Sequence, residues 1–279
     1  MAGQQTQHLN LLEKQLPEGL LVTSSWLIRH GYSRQLLNHY VGAGWLRQPT
    51  RGVYQRPRGS LSWQQVAISL QTILKEPLVV GGRTALEIQG YAHYLRQTMK
   101  EVYLYGPEPS PHWLDKLPAK VRFIYRNSRK LFPAEADKKS FMNLIRGVKT
   151  PPSQGADAGF VVEPWGQWDW GLVLSTPERA ILELLDELPG RESFEQADKL
   201  MEGLSNLSPQ RLQKLLTRCR SIKVKRLFFF FADRHQHAWL KRIDRAAVDL
   251  GKGKRMLVKG GKLDRAYQIT VPEGLDAVQ

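Results

Sequence analysis

The sequence predicts an α+β protein, with an N-terminal winged helix-turn-helix followed by a larger mixed α/β C-terminal domain. Three observations support this prediction. The first sixty residues show the pattern helix, tight turn, helix and basic hairpin, and the remainder mixes short apolar runs with amphipathic segments of helical length. The chain has 279 residues, whereas one domain typically has roughly 150. We therefore predict a winged-helix DNA-binding domain at 1–58 and a second domain at 60–279, which the Pro-rich stretch near 150–158 could divide again.

Capping and turn residues define the helices of the N-terminal unit. A first helix is predicted over residues 6–16. A second helix can begin at any of three consecutive capping residues, 23–25, and end at Gly31. Ser33 can cap a third helix that runs to about Val41 and has one apolar face. This spacing is typical of a helix-turn-helix.

The outer face of the third predicted helix is polar and contains no acid. It carries Arg34, Gln35, Asn38 and His39. Arginine can donate two hydrogen bonds to guanine, and the amides of Gln and Asn can pair with adenine in the same way. We therefore expect this helix to enter the major groove of DNA. A winged helix that is purely structural, or that binds protein, is the alternative.

Two β segments, 45–47 and 52–56, follow the third helix and enclose a turn at 48–51 with a cation at its tip. This hairpin would be the wing. Its cations would contact phosphate or the minor groove, and they are Arg47, Arg51 and Arg56.

The larger domain is predicted from short signals along the chain. Strands are expected at 78–82, 102–105, 121–125, 159–163 and 171–174, and helices at 62–74, 84–94, 176–188, 193–204 and from 208. Residues 224–231 fit a helical face or a buried strand, and we favour the helix. A final hairpin would join 256–258 to 267–271.

The charge of the chain favours anionic partners. Its net charge is +15, which attracts polyanions or an acidic protein. Fifteen Lys and Arg against four Asp lie within 218–265. Two clusters there are predicted to form an anion-binding face, with a merely solvated face as the alternative. They are Lys223, Lys225 and Arg226, and Lys252, Lys254 and Arg255.

No catalytic residue, metal site or cofactor is predicted. The turn at Gly81–Gly82 could hold a phosphate, but it lacks the spacing of a nucleotide-binding loop and more often simply joins a strand to a helix. His235 and His237 lack a third ligand, and we expect a solvent-exposed loop there. No apolar run could span a membrane, and one cysteine excludes an internal disulfide. We expect a cytoplasmic protein.

Several short motifs occur in the order found in one protein family. They are Gly44-Trp-Leu-Arg47 with Arg51-Gly-Val-Tyr54, Gly81-Gly-Arg-Thr-Ala-Leu86 with Gly90-Tyr91, Ser175-Thr-Pro-Glu-Arg-Ala-Ile-Leu-Glu183, Lys223-Val-Lys-Arg-Leu-Phe228 and Leu250-Gly-Lys-Gly-Lys-Arg255. Together they resemble the AbiEi antitoxins of bacterial type IV toxin–antitoxin and abortive-infection systems that act against phage.

The resemblance implies a repressor and antitoxin without catalytic activity or cofactor. The winged helix would bind inverted repeats in the double-stranded promoter DNA of its own operon. The remainder would suppress a nucleotidyltransferase-like toxin, directly or indirectly. A DNA-guided nuclease or nucleotidyltransferase, and a ligand-sensing repressor, are the alternatives from other classes.

Overall fold

The fold is taken from a computed structural model, which describes residues 2–91, 99–133, 139, 141–145, 159–166 and 170–275. The helix predicted over 84–94 is shorter than expected, since it ends at Ile88. Residues 92–94 of that prediction and the division expected near 150–158 lie outside the described residues.

The N-terminal unit is a winged helix-turn-helix, as predicted. Its elements are α1 (Ala2–Gln15), β1 (Leu21–Thr23), α2 (Ser24–Arg29), α3 (Arg34–Gly42), β2 (Arg47–Thr50) and β3 (Val53–Gln55). The strands form an antiparallel sheet in the order β1-β3-β2. Leu12, Leu16, Leu27 and Leu37 pack beneath this sheet with at most 1% of their surface exposed.

The wing differs from its prediction in two respects. Residues 48–50 belong to β2, and the turn is reduced to Arg51 and Gly52, where Gly52 has a φ of +76°. Pro49 fits in this strand because β2 lies at the edge of the sheet, where a missing N–H costs no ladder hydrogen bond. Strand β1 was not predicted, since three residues are too few for a recognisable alternation.

A five-stranded mixed sheet forms the centre of the larger domain. Its strands are β4 (Val79–Val80), β5 (Glu101–Gly106), β6 (Arg122–Asn127), β7 (Phe160–Trp165) and β8 (Trp170–Ser175), in the order β6-β5-β4-β8-β7. The pairs β5–β6 and β4–β8 are parallel, and the other two are antiparallel. Helix α5 (Gly82–Ile88) leaves the sheet directly after β4.

Four longer helices follow β8. They are α6 (Pro177–Asp186), α7 (Phe194–Gly203), α8 (Pro209–Arg218) and α9 (Ile222–His235). Helix α9 confirms the helical interpretation of 224–231, and it is buried on all sides over residues 224–232. The last hairpin pairs β9 (Lys262–Asp264) with β10 (Ile269–Val271), so the prediction that 256–258 forms its first strand was wrong.

One helix joins the two parts of the molecule. Helix α4 (Trp63–Ile68) begins with a capping box between Ser62 and Gln65 and continues as a π-helical turn, Ser69–Ile73. The Ser69 hydroxyl accepts the N–H of Leu21 in β1 at 2.8 Å. Two residues further on, the Gln71 side-chain amide donates a hydrogen bond to the carbonyl of Val173 in β8 at 3.0 Å and accepts the N–H of the same residue at 2.9 Å. The winged helix is thereby tied to the central sheet.

Candidate nucleic-acid interface

Side-chain caps and a small apolar core hold the recognition helix in place. Thr23 Oγ1 accepts the N–H of Trp26 at 3.2 Å, and Ser33 Oγ accepts the N–H of Leu36 at 3.2 Å, so the caps expected from the sequence are present. Leu37 and Tyr40 turn inward from α3. Tyr32 lies in the turn before α3, and its burial raises the pKa of its phenol to about 12.

The outer face of α3 is open. All four predicted base-reading side chains are exposed, namely Arg34, Gln35, Asn38 and His39. Arg34 and Asn38 are one turn apart, as are Gln35 and His39, so the four side chains share one face of the helix. Their donors and acceptors point away from the protein interior, which is the arrangement that base readout in a major groove requires.

The wing supplies cations beside this helix. Arg51 is exposed at the tip of the β2–β3 turn. Arg47 is also exposed and makes one long hydrogen bond, from Nη1 to the Gly59 carbonyl at 3.4 Å. Both guanidinium groups remain accessible to an anionic backbone.

Arg56 differs from the other predicted wing cations. Its guanidinium donates to the carbonyls of Glu13 and Leu16 at 3.3 and 3.1 Å and pairs with the carboxylates of Glu13 and Glu18. These contacts fasten the end of the wing to α1. We therefore correct the expectation that Arg56 contacts DNA, because its hydrogen-bonding groups serve the fold.

The first predicted C-terminal cluster is largely interior. Lys225 and Arg226 are 4% and 3% exposed. Arg226 donates to three carbonyls, those of Leu250, Gly253 and Gln268. The prediction that these cations form an anion-binding face was therefore wrong.

Lys223 also serves the fold. Its Nζ donates to the carbonyls of Asp186 and Leu188, at the end of α6, at 2.6 and 3.0 Å. Cations placed at the C-terminus of a helix satisfy carbonyls that have no partner within the helix. The second cluster is different, since Lys252, Lys254 and Arg255 are all exposed.

The glycine turn after β4 already holds an anionic group of the protein itself. The Glu183 carboxylate accepts the N–H of Gly82 at 2.9 Å, the Ser175 hydroxyl at 3.1 Å and Arg179 Nε at 2.8 Å. Glu183 is fully buried, and the same is nearly true of Glu178. Both carboxyl groups are therefore interior, and Glu183 accepts the Gly82 N–H that a bound phosphate would need.

His235 and His237 are half-buried and hydrogen-bonded to residues of α7, so they do not lie in the solvent-exposed loop that was expected. Arg234 and His235 end α9 and hydrogen-bond Asp198 at 3.1 and 2.8 Å, and His237 contacts the Met201 carbonyl at 2.9 Å. Within the described ranges, no three His, Cys, Asp or Glu side chains are placed to hold a metal ion. Likewise, no helix formed by those residues is long and apolar enough to cross a membrane.

The fold and this surface together define a winged-helix protein with a larger mixed α/β domain. The chain is matched by two family models, one described as the AbiEi antitoxin N-terminal domain of a transcriptional regulator, over residues 5–97, and one as the AbiEi antitoxin of a type IV toxin–antitoxin system, over residues 99–272. The chain therefore belongs to the AbiEi family of transcriptional regulators and antitoxins.

A solved structure has a similar fold. The RV2827C protein from Mycobacterium tuberculosis aligns with a TM-score of 0.55 and 17% sequence identity, over 95% of this chain and 89% of that one. No curated relative matches the sequence. The N-terminal family model extends beyond residue 58, which agrees with the hydrogen bond from Leu21 of the wing sheet to Ser69, in the π-helical turn after α4.

A basic region surrounds β6 and was not predicted. Residues 114–130 contain six Lys and Arg and one Asp. The signal was present in the charge pattern, but it was hidden by the stronger excess of cations near the C-terminus.

Proposed function

We propose that this protein is an autorepressor and an antitoxin. Helix α3 would read inverted repeats in the promoter of its own operon, and the larger domain would suppress a nucleotidyltransferase-like toxin. The open polar face of α3, beside Arg47 and Arg51 of the wing, is the observation that supports DNA binding. Membership of a family of transcriptional regulators and antitoxins supports both roles.

The two sets of side chains would contribute differently to binding. Arg34 and Asn38 would hydrogen-bond base edges, so they would determine which sequence is bound. Arg47 and Arg51 would neutralise phosphates, which raises the affinity for every duplex and makes it depend on salt. Because promoter DNA lies in the cytoplasm of a bacterium, the proposal also places the protein there.

Gel-shift titration with the promoter fragment and a scrambled duplex tests the DNA-binding role. Arg34→Ala and Asn38→Ala should each cost about 1–3 kcal/mol on the promoter and little on the scrambled duplex. Arg51→Ala should weaken both duplexes alike and reduce the salt slope by about 1. Lys116→Ala, an exposed cation outside the winged helix, is the control. Unchanged promoter binding in the Arg34/Asn38 double variant would refute this role of α3.

We propose that the antitoxin role uses an exposed anion-binding face. Because the first predicted cluster serves the fold, this face consists of Lys252, Lys254 and Arg255. Co-expression with the partner toxin tests it through cell growth. Reversing the three charges should abolish rescue while promoter binding by the winged helix persists. We propose no catalytic activity, and metal-dependent turnover of nucleic acid that a single carboxylate substitution abolishes would contradict this.

A further inference from the structure

Strand β6 lies at one edge of the five-stranded sheet and pairs with β5 alone. The N–H of Arg122 donates to the Lys100 carbonyl beside β5 at 2.8 Å. Main-chain groups alternate in direction along a strand, so those of Phe123 and Tyr125 point the other way, to the outer edge. Arg126 Nη1 reaches the Tyr125 carbonyl at 2.9 Å, which agrees with that direction. No described residue accepts the N–H of Phe123 or Tyr125 at that edge.

A groove runs along this edge. It has a volume of about 630 Å³ and is lined by every residue from 121 to 126, and by Leu114 and Leu117 of the preceding loop. Side chains of a strand alternate between faces, so a groove lined by six consecutive residues follows the edge and not one face of the sheet. A second cleft of about 310 Å³ also contains Arg126 and Arg191 and continues towards Lys130.

The groove is basic. Arg122 is exposed and makes no side-chain hydrogen bond or ion pair within the described chain. Arg191 has a distant partner, with 3.9 Å between its Nη1 and Glu101 Oε1. The Arg126 guanidinium is engaged by Glu187, so Arg122 and Arg191 supply the available charge. Asp115 is the acid on the groove wall.

We propose that this groove binds an extended acidic segment of a partner protein, which would add a sixth strand beside β6. The outward N–H groups of Phe123 and Tyr125 would supply the strand pairing, and Arg122 and Arg191 would select negative charge. A protein strand fits better than a nucleic acid because donors and acceptors that alternate along a peptide edge match another peptide. This surface is separate from the winged helix, and the proposal does not depend on DNA binding.

Fluorescence anisotropy with labelled synthetic peptides tests the proposal on the full chain. The probes are an octapeptide of alternating Glu and Val, its Lys and Val counterpart, and a single-stranded RNA of similar charge. The acidic peptide should bind, and the basic peptide should not. Arg122→Glu should weaken binding about tenfold or more, whereas Lys241→Glu, an exposed cation outside the groove, should leave it unchanged.

A matched pair of variants isolates the main-chain contribution. Tyr125→Pro and Tyr125→Ala both remove the phenol, but only proline removes the outward N–H. Proline should weaken peptide binding about fivefold more than alanine, as expected for one lost hydrogen bond. In the unsubstituted protein, amide exchange at Phe123 and Tyr125 should slow when the acidic peptide is added.

Three results would overturn the proposal. The first is equal binding of the acidic and basic peptides, and the second is a preference for the RNA. The third is a loss of binding in Lys254→Glu but not in Arg122→Glu, which would place the site on the exposed anion-binding face of Lys252, Lys254 and Arg255.

Discussion

Replacing Glu183 by glutamine should destabilise the protein strongly, although the two side chains have the same shape. The carboxylate accepts three hydrogen bonds and is fully buried, and its ion-pair partner Arg179 is 1% exposed. The amide would turn an N–H₂ group towards a donor, either the Gly82 N–H or Arg179. It would also leave the Arg179 guanidinium, which lies between two aromatic rings, without its carboxylate.

The expected loss follows from the burial of this pair. Removing one partner of a buried ion pair typically costs about 3–5 kcal/mol. At about 2–3 °C per kcal/mol for a chain of this length, the melting temperature should fall by about 6–15 °C. Glu195→Gln is the matched control, because Glu195 is also one helical turn from a cation, Lys199, but is exposed. Its loss should stay below about 0.5 kcal/mol.

Thermal and urea unfolding followed by circular dichroism would measure both variants. Both variants should be measured near pH 7. Equal small losses of stability in the two variants would refute the view that the Glu183 carboxylate stabilises the packing of β8, α5 and α6. A second check replaces both members of the pair by apolar residues, which should recover part of the lost stability.

Three further substitutions have defined outcomes. Burial opposes ionisation of Asp198, but its hydrogen bonds, that from His235 foremost, lower its pKa overall. The resulting stabilisation is present above about pH 4 and is lost as the pH falls through the lowered pKa. Urea unfolding across pH 2–6 should therefore show that the free energy of unfolding falls less on acidification in Asp198→Asn than in the unsubstituted protein. Arg226→Met should cost about 2–4 kcal/mol in the same assay, because three carbonyls lose their donor, whereas Lys254→Met should cost almost nothing. Ser33→Ala should cost about 1 kcal/mol through loss of the α3 cap and leave the base preference on promoter DNA unchanged.

Local signals predicted the elements of this protein well. Helix caps act within four residues, so Ser33 and Ser62 mark the starts of α3 and α4 in the sequence as they do in the structure. The outward face of α3 was also predictable, because helical period alone separates Leu37 and Tyr40 from the polar side chains.

Contacts distant in sequence were not predictable. Arg226 was interpreted as a surface cation because charge usually lies outside. Its actual partners are carbonyls 24 to 42 residues further along the chain. In the same way, Glu183 meets the N–H of a glycine 101 residues earlier. Whether a charged side chain is buried depends on such tertiary partners, and the periodicity of its own segment does not reveal them.

The π-helical turn after α4 affects where the chain could be truncated without losing the native contacts of the winged helix. Ser69 holds the wing sheet and Gln71, two residues on, holds the middle of the large sheet. A fragment ending at residue 58 would expose the underside of β1 to water and release its Leu21 amide from Ser69. The smallest piece that keeps the wing in its native setting therefore extends past Ile73.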